Sequence, residues 1–134
     1  MPTDDELGFP TGNRDERELL LSWLAYLRSA VVRNLDGLGE VDARWTPGDA
    51  LISPLGVLNH LTHVEWRWID GAMRGHPVSR SEEEFRPGGE ITVAAAIAAY
   101  RDRAHDTDEF ARATPLDTPS RTDPASISAG CSST

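Results

Sequence analysis

The stretch LGVLNHLTHVEWRWI, residues 55–69, decides the fold because it carries the clearest helical pattern in the chain. It follows Ser53 and Pro54, a favourable N-cap and a proline suited to the first helical turn. Its large apolar residues recur at helical spacing: Leu55, Leu58, Leu61, Trp68 and Ile69. With a glycine stop at position 75, the pattern predicts a helix over about residues 53–73.

Two further helices are predicted on either side of this one. The first covers about residues 14–36, from a capping-box pattern at Asn13 and Glu16 to a stop at Gly37. Its core-facing residues are predicted to be Leu20, Leu24, Leu27, Val31 and Leu35. The third covers about residues 92–113 and aligns Val93, Ala96, Ile97, Tyr100 and Ala104. The three helices predict an all-α bundle domain over residues 1–113.

The helical pattern stops at Thr114. Residues 114–134 place Pro115, Pro119 and Pro124 among Ser, Thr and Asp, and we expect them to form an irregular, disordered tail. Helical bundles usually close with four helices, so a fourth helix is missing or replaced by this tail.

The charge of the chain excludes several classes of function. Its 134 residues include 22 acidic and 13 basic side chains, for a net charge of −9. Binding to nucleic acid needs a basic surface that displaces counterions, so we expect no nucleic-acid partner and no anionic membrane. Every basic residue is arginine, which excludes a Schiff-base lysine and a phosphate-loop lysine.

The sequence also indicates a compartment. The amino terminus is acidic and lacks the basic and apolar regions of a signal peptide, and no apolar run approaches the ~18 residues of a membrane span. We therefore expect a cytoplasmic protein. The single cysteine, Cys131, excludes a disulfide framework and a cysteine-based zinc site.

The densest group of potential metal ligands lies in the second predicted helix. His60 and His63 are neighbours at i, i+3 beside its apolar face. The H-E-x-x-H zinc motif spaces its histidines by four, and a metal site needs three or four ligands. From the residues alone, His60 is either a structural or surface histidine or a metal ligand, and His63 is expected to face solvent.

Two opposite charges are predicted to meet inside the bundle. Glu65 falls within the apolar face of the second helix, and Arg28 falls within that of the first. We predict a buried or half-buried ion pair in which each charge satisfies the other. The alternative is that Glu65 acts in a catalytic pocket.

The remaining polar and aromatic residues have simpler interpretations. His76 and His105 are predicted to face solvent, and the glutamates at 82–84 to form a solvated loop. Trp45 is predicted to cover the core. Packing in the core or in a groove is predicted for Trp23, Trp66 and Trp68.

Residues 55–69 resemble the second helix of the DinB-like superfamily, most closely an actinobacterial branch described as a domain of unknown function. Residues 18–38, with Arg28 and the ending NLDGL, resemble its first helix, and the resemblance covers roughly residues 14–128. It implies an up-down four-helix bundle that forms a homodimer and acts on a small-molecule substrate. Relatives include mycothiol-dependent maleylpyruvate isomerase.

The resemblance further implies a metal site. His60 matches the histidine that holds a divalent metal (Zn, Ni or Fe) together with two His or Glu ligands on the last helix. The implied cofactor is mycothiol or a similar low-molecular-weight thiol, whose pKa the metal lowers. The resemblance gives no role to His63.

The chain departs from this pattern at its end. The superfamily's closing helix begins near an L-R-W-V-L-x-H-M segment, but residues 128–134 are SAGCSST. One codon set for residues 129–134, translated in another frame, spells Trp-Val-Leu-Val-His-Met, so we hypothesise that a frameshift replaced this helix. Three helices alone are expected to leave an exposed apolar patch.

Two functions follow from the sequence. The first is a metal-dependent transferase or isomerase that uses a mycothiol-type thiol and is impaired by loss of the closing helix. The alternative is a non-catalytic helical remnant or interaction module without metal.

Overall fold

The computed structural model describes residues 15–48 and 51–122, and this part of the chain is helical. Its α-helices are α1 (Glu16–Leu35), α2 (Glu40–Ala43), α3 (Pro54–Trp66) and α4 (Val93–Ala113). α3 continues directly into a π-helical segment, Arg67–Met73, and a 3-10 turn covers Glu82–Glu84. Because the described ranges contain no strand, the all-α prediction is confirmed.

The predicted helices over about residues 14–36, 53–73 and 92–113 correspond to α1, to α3 with its π-helical continuation, and to α4. Ser53 caps α3, and its hydroxyl oxygen accepts the amide of Gly56 at 3.0 Å. The cap of α1 is Asp15, whose carboxylate accepts the amide of Glu18 at 2.8 Å. The predicted cap, Asn13, lies outside the described residues.

Both predicted glycine stops have a left-handed backbone. Gly37 has a φ of 90° and Gly75 a φ of 76°, values that side-chain-bearing residues rarely adopt. After the π-helical segment, the amide of Gly75 donates to the carbonyl of Gly71 at 3.0 Å, and that of His76 donates to Asp70 at 2.8 Å. These bonds end the helix where the sequence predicts.

The core lies where α3 packs along α4 and α1 contacts both. Leu55 and Leu58 of α3 are fully buried at its centre. The other buried members of this cluster are Val32, Leu35, Ala43, Val93, Ala96, Ile97 and Tyr100.

The core-facing side of α1 differs from the predicted one. Leu20, Leu24 and Leu27 were predicted to be buried, but they are 51%, 39% and 53% exposed. The inward face carries Leu21, Arg28, Val32 and Leu35. Arg28 bonds to carboxylates on α3 and α4, so its side chain faces inward. The side of α1 that carries Arg28 therefore faces the core.

The π-helical segment changes which residues of the second predicted helix face the core. Trp68 was predicted to lie on the apolar face, but it is 52% exposed, whereas Arg67 is buried. A π-helix bonds i to i+5 and so turns less per residue than the 100° of an α-helix, as the bond from Arg74 N to Ile69 O at 2.9 Å shows. The face calculated for an α-helix therefore misplaces Trp68.

Trp45 does not cover the core as predicted. It is 63% exposed, and the small residue Ala43 of α2 fills the adjacent core position instead. Trp45 lies two residues after the end of α2, outside any long helix that could turn its ring inward.

After α4 the chain is irregular and returns to the π-helical segment. The amides of Arg121 and Thr122 donate to the carbonyl of Ala72 at 2.7 and 3.2 Å. The rest of the predicted tail, residues 123–134 with Cys131 and the proposed frameshift, lies outside the described residues.

Among residues 15–48 and 51–122, no helix combines the length and the apolar character that crossing a membrane requires.

Candidate functional site

The most deeply buried charged group is Glu84, in the 3-10 turn between α3 and α4. Its side chain is 1% exposed, and both its oxygens accept from the guanidinium of Arg67, at 2.5 and 2.6 Å. Such a bidentate arrangement is the strongest geometry for an arginine–carboxylate pair. The prediction that residues 82–84 form a solvated loop is therefore wrong for Glu84, although the two glutamates before it are exposed.

His60 completes this cluster. Its Nδ1–H donates to Oε2 of Glu84 at 2.5 Å, and its ring stacks on Phe85 with centroids 4.6 Å apart. A carboxylate on Nδ1 fixes the neutral ring in one tautomer and leaves the lone pair of Nε2 available. The His60 side chain is 30% exposed, so a ligand can approach its ring.

Local sequence explains why the turn docks on α3. A Cβ at Gly56 would lie 2.1 Å from the carbonyl oxygen of Phe85, so only glycine permits this approach. One turn further along α3, the Asn59 side-chain amide donates to the carbonyl of Glu84 at 2.8 Å. From the other side, the guanidinium of Arg44 donates to the carbonyls of Pro87, Gly88 and Ile91.

The cluster keeps Glu84 ionised. Burial acts to raise the pKa of Glu84, but hydrogen bonds from Arg67 and His60 outweigh it, and the pKa is lowered from its usual value of 4.5. Glu84 is therefore a permanent acceptor for the His60 N–H at neutral pH.

A second charged cluster confirms the predicted ion pair. Arg28 donates through Nη2 and Nε to the Glu65 carboxylate at 2.7 and 3.2 Å. Sequence reasoning missed a third member, Asp108 of α4, which accepts from Nη1 of Arg28 at 2.9 Å. One signal could have found it, because Asp108 follows the buried Tyr100 by eight residues and so shares its helix face.

The electrostatics of this cluster stabilise the charged form of Arg28. Burial acts to lower the pKa of Arg28, but hydrogen bonds to Glu65 and Asp108 prevail and raise it. Burial, with the charge of Glu65, raises the pKa of the neighbouring Tyr100 to about 12. Both oxygens of Glu65 accept hydrogen bonds from Arg28, so the alternative, a catalytic Glu65, would have to use a carboxylate that is already paired.

A cleft of about 450 Å³ lies between α3 and α4, on the side that carries His63. Nδ1–H of His63 donates to the carbonyl of Asn59 at 2.8 Å, and its ring meets the Trp66 ring edge-on at 6.0 Å. His63 thus lines a cleft and does not simply face solvent as predicted. The full lining comprises Thr62, His63, Trp66, Ala99, Asp102, Arg103 and Asp106.

A network of two arginines and two aspartates fixes one wall of the cleft. Arg74 donates to Asp70 at 2.6 Å and to Asp106 at 2.9 Å. Arg103 also bonds both aspartates, at 3.3 Å to Asp70 and at closer range to Asp106. The hydrogen bond from Arg74 lowers the pKa of Asp106, so this carboxylate is held charged.

The sequence profile of one protein family, described as mycothiol-S-transferase, matches residues 19–130. The chain belongs to this family. The match agrees with the DinB-like resemblance, because the mycothiol-S-transferases are a DinB-like family. No curated protein and no solved structure gives a significant match.

The described residues of this mycothiol-S-transferase family member fit the metal implied by the DinB-like resemblance only in part. His60 suits the role of one ligand, because metal-binding histidines commonly hold their second ring nitrogen on a carboxylate. Within residues 15–48 and 51–122, however, no three His, Cys, Asp or Glu side chains form a group able to hold an ion. His76 and His105 are exposed, as predicted, and His105 pairs with Glu109.

Proposed function

We propose that this protein transfers the sulfur of mycothiol to an electrophilic carbon of a small molecule. A carbon–sulfur bond forms, the carbon's leaving group departs with its bonding electrons, and the thiol proton passes to a base. The family match supports mycothiol as the thiol. The single observation that carries the role of this site is the His60 imidazole, held by Glu84 with Nε2 available.

His60 is the proposed proton acceptor. The thiolate is the nucleophilic form of a thiol, so a base next to the sulfur increases the reactive fraction at neutral pH. Glu84 accepts the Nδ1–H of His60 and stabilises the imidazolium that forms when Nε2 takes the proton. Arg67 keeps Glu84 ionised, so the proton stays on His60.

A divalent metal on Nε2 of His60 is the second proposed route of thiol activation. Zinc, nickel or iron, when bound, would lower the pKa of a coordinated thiol. The observation that favours this route is again the carboxylate on Nδ1, which orients the ring so that Nε2 is the nitrogen left for a metal.

The transfer can be tested with purified mycothiol and monochlorobimane, whose chloride a thiol displaces to give a fluorescent adduct. We expect His60→Ala to lower kcat/KM by at least about 100-fold, the usual contribution of a positioned base. His105→Ala is the matched control, because His105 is 76% exposed and far along α4. Equal activity of His60→Ala and wild type, or a wild-type rate no faster than the uncatalysed one, refutes the proposal.

Metal analysis separates the two routes of activation. Stoichiometric zinc, nickel or iron that is lost in His60→Ala supports the metal-dependent route. Transferase activity that survives chelation with no bound metal supports His60 as the base. Folded, metal-free protein without activity supports the alternative of a non-catalytic helical module.

We also propose that the protein forms a homodimer through the exposed stripe of α1. The stripe consists of Leu20, Trp23, Leu24 and Leu27, which are 37–53% exposed. Their spacing of three, one and three residues is symmetric about the midpoint between Trp23 and Leu24. A two-fold interface places one patch against itself, so antiparallel α1 helices would pair Leu20 with Leu27 and Trp23 with Leu24.

The charges at the two ends of α1 fit the same pairing. Glu16 and Glu18 lie in its first turn, and Arg33 lies in its last. In an antiparallel pair, the acidic end of one copy lies beside the basic end of the other, which favours this orientation over the parallel one.

A further inference from the structure

We propose that the cleft between α3 and α4 binds the glucosamine–inositol part of mycothiol, and that Asp102 makes it select this uncharged thiol over anionic thiols. The proposal rests on the proposed mycothiol transfer, but it concerns a site that the chemistry of His60 does not use. It also gives binding roles to His63, which the sequence predicted to face solvent, and to Trp66, which the sequence predicted to pack in the core or in a groove.

The cleft lies at the right place for such a ligand. His63 lines the cleft and follows His60 by three residues, so these two side chains are neighbours on α3, while Trp66 follows by three more on the side away from His60. Neighbours at this spacing stand about 5–6 Å apart at Cβ. A ligand whose sugar lies beside Trp66 can therefore extend its thiol past His63 toward His60. The volume of about 450 Å³ is within the usual range for small-molecule sites.

The lining suits a polyhydroxylated ligand. Trp66 offers a large, rigid aromatic surface to the C–H face of a ring. His63 uses Nδ1 on the Asn59 carbonyl, which leaves Nε2 as an acceptor for a hydroxyl. Asp102 is exposed at the cleft and adds a carboxylate acceptor.

The polar wall is already fixed before a ligand arrives. Arg103 is held by Asp70 and Asp106, and Asp106 is also held by Arg74. Side chains restrained in this way lose little further freedom on binding, so hydrogen bonds from a ligand cost less entropy.

The charge of the lining argues for an uncharged thiol. The network of Arg74, Arg103, Asp70 and Asp106 balances its own charges, so Asp102 leaves the lining with an excess negative charge. The whole chain carries a net charge of −9. Glutathione and bacillithiol carry carboxylates, whereas mycothiol carries none. A carboxylate brought beside Asp102 meets a like charge, which is an effective way to reject a competing ligand.

Binding can be tested without the transfer reaction. The probe is a mycothiol analogue in which alanine replaces cysteine, titrated into the full chain in a calorimeter. We expect Trp66→Leu and Asp102→Ala each to weaken binding by about tenfold, the loss of one good contact. Trp68→Leu and Asp117→Ala are the matched controls and should bind as wild type, because both residues are exposed outside the cleft.

The outcomes separate this proposal from the proposed function. Binding that is weakened only by the cleft variants supports the site even if no transfer is detected. Transfer activity combined with unchanged analogue affinity in both cleft variants overturns the site and leaves the transfer intact. A thermal melt of each variant shows whether a loss of binding comes only from a loss of folding. If Asp102→Ala is unfolded, Asp102→Asn, a nearly isosteric change at an exposed position, decides whether the carboxylate contributes to binding.

Charge selection has its own measurement. In the bimane assay, we expect S-methylglutathione, whose blocked sulfur cannot react with the bimane, to inhibit Asp102→Lys with an inhibition constant about tenfold lower than for wild type, because an attraction replaces a repulsion. Asp117→Lys, with the same change in net charge, should leave the inhibition unchanged. An equal shift in both variants would mean that the overall charge of the protein, and not the cleft, rejects anionic thiols.

Discussion

Glu84 connects the folding of a loop to the chemistry of a histidine on a neighbouring helix. Its carboxylate accepts from Arg67 through both oxygens and from His60 through one of them. A buried charge persists only when its partners are in place, so the turn, the π-helical segment and α3 hold each other in position.

The first prediction concerns the pH dependence of this cluster. The folded-state pKa of Glu84 lies below its usual value of 4.5, so its stabilisation is complete above that pH and is lost as pH falls through the lowered pKa. We expect Glu84→Gln to cost about 3–5 kcal/mol at pH 7, because Arg67 is left buried without its countercharge.

The measurement is urea unfolding of Glu84→Gln and wild type between pH 3 and pH 7. The difference in unfolding free energy should shrink toward the acidic end of this range. Glu83→Gln, at the exposed neighbouring position, should match wild type throughout. A difference for Glu84→Gln that is constant across the range would contradict the lowered pKa.

The second prediction concerns the Arg28 cluster. Removing the guanidinium with Arg28→Met leaves Glu65 and Asp108 facing each other, and we expect a loss of about 2–3 kcal/mol, less than for a fully buried pair because both carboxylates are partly exposed. Chemical denaturation measures this loss, with the exposed Arg33→Met as control. Glu65→Gln should also destabilise, and stability unchanged within a few tenths of a kcal/mol would show that the pair contributes nothing.

The sequence predicted the pairing of Arg28 with Glu65 but not the burial of Glu84, and the difference has a physical reason. Arg28 and Glu65 were predictable because each charge interrupts an apolar face, which is costly without a partner. Glu84 was not, since it lies in a run of three glutamates outside any periodic element. Which of the three turns inward depends on Gly56 and Asn59, residues that are remote in sequence.

At the scale of elements, the decisive contact joins α3 to the turn after it. Gly56 lets the backbone at Phe85 come close, and the side chains of Asn59 and His60 then reach Glu84. The π-helical segment completes the arrangement because it turns Arg67 inward and Trp68 outward.

The third prediction tests that contact. In Gly56→Ala, the new methyl group would lie 2.1 Å from the Phe85 carbonyl oxygen, so the turn must move away from α3. We expect a loss of about 1–3 kcal/mol, typical of overpacking, together with reduced transferase activity as Glu84 withdraws from His60. Thermal unfolding and the bimane assay measure the two effects.

Gly39→Ala is the control for this substitution. Gly39 has an ordinary φ of −70°, and a Cβ there meets no atom within 4 Å. If Gly56→Ala behaves like Gly39→Ala in both assays, the close approach of the turn to α3 has no energetic importance.

At the scale of the whole molecule, α1 leaves an apolar stripe exposed. The stripe Leu20, Trp23, Leu24 and Leu27 lies to one side of the inward face of α1. Contiguous apolar surface of this kind commonly marks an interaction site.

The fourth prediction is that Leu27→Glu disrupts the proposed homodimer. A charge at position 27 would face Leu20 of the other copy in a desolvated interface, so the variant should sediment as a monomer at micromolar concentration where wild type is dimeric. Val41→Glu is the control, because Val41 is 82% exposed and lies outside the stripe. Wild type that is monomeric at every concentration tested would rule out this interface.

The sequence by itself determined the helical class, the positions of the three long helices and one ion pair. These features depend on local caps, glycine stops and periodic apolar residues, whose energetics act within a few turns of chain. Only the tertiary structure decided which face of α1 turns inward, that Asp108 joins Arg28, and that Glu84 orients His60. Those outcomes depend on partners distant in sequence, because a charge is buried wherever the fold brings a countercharge to meet it.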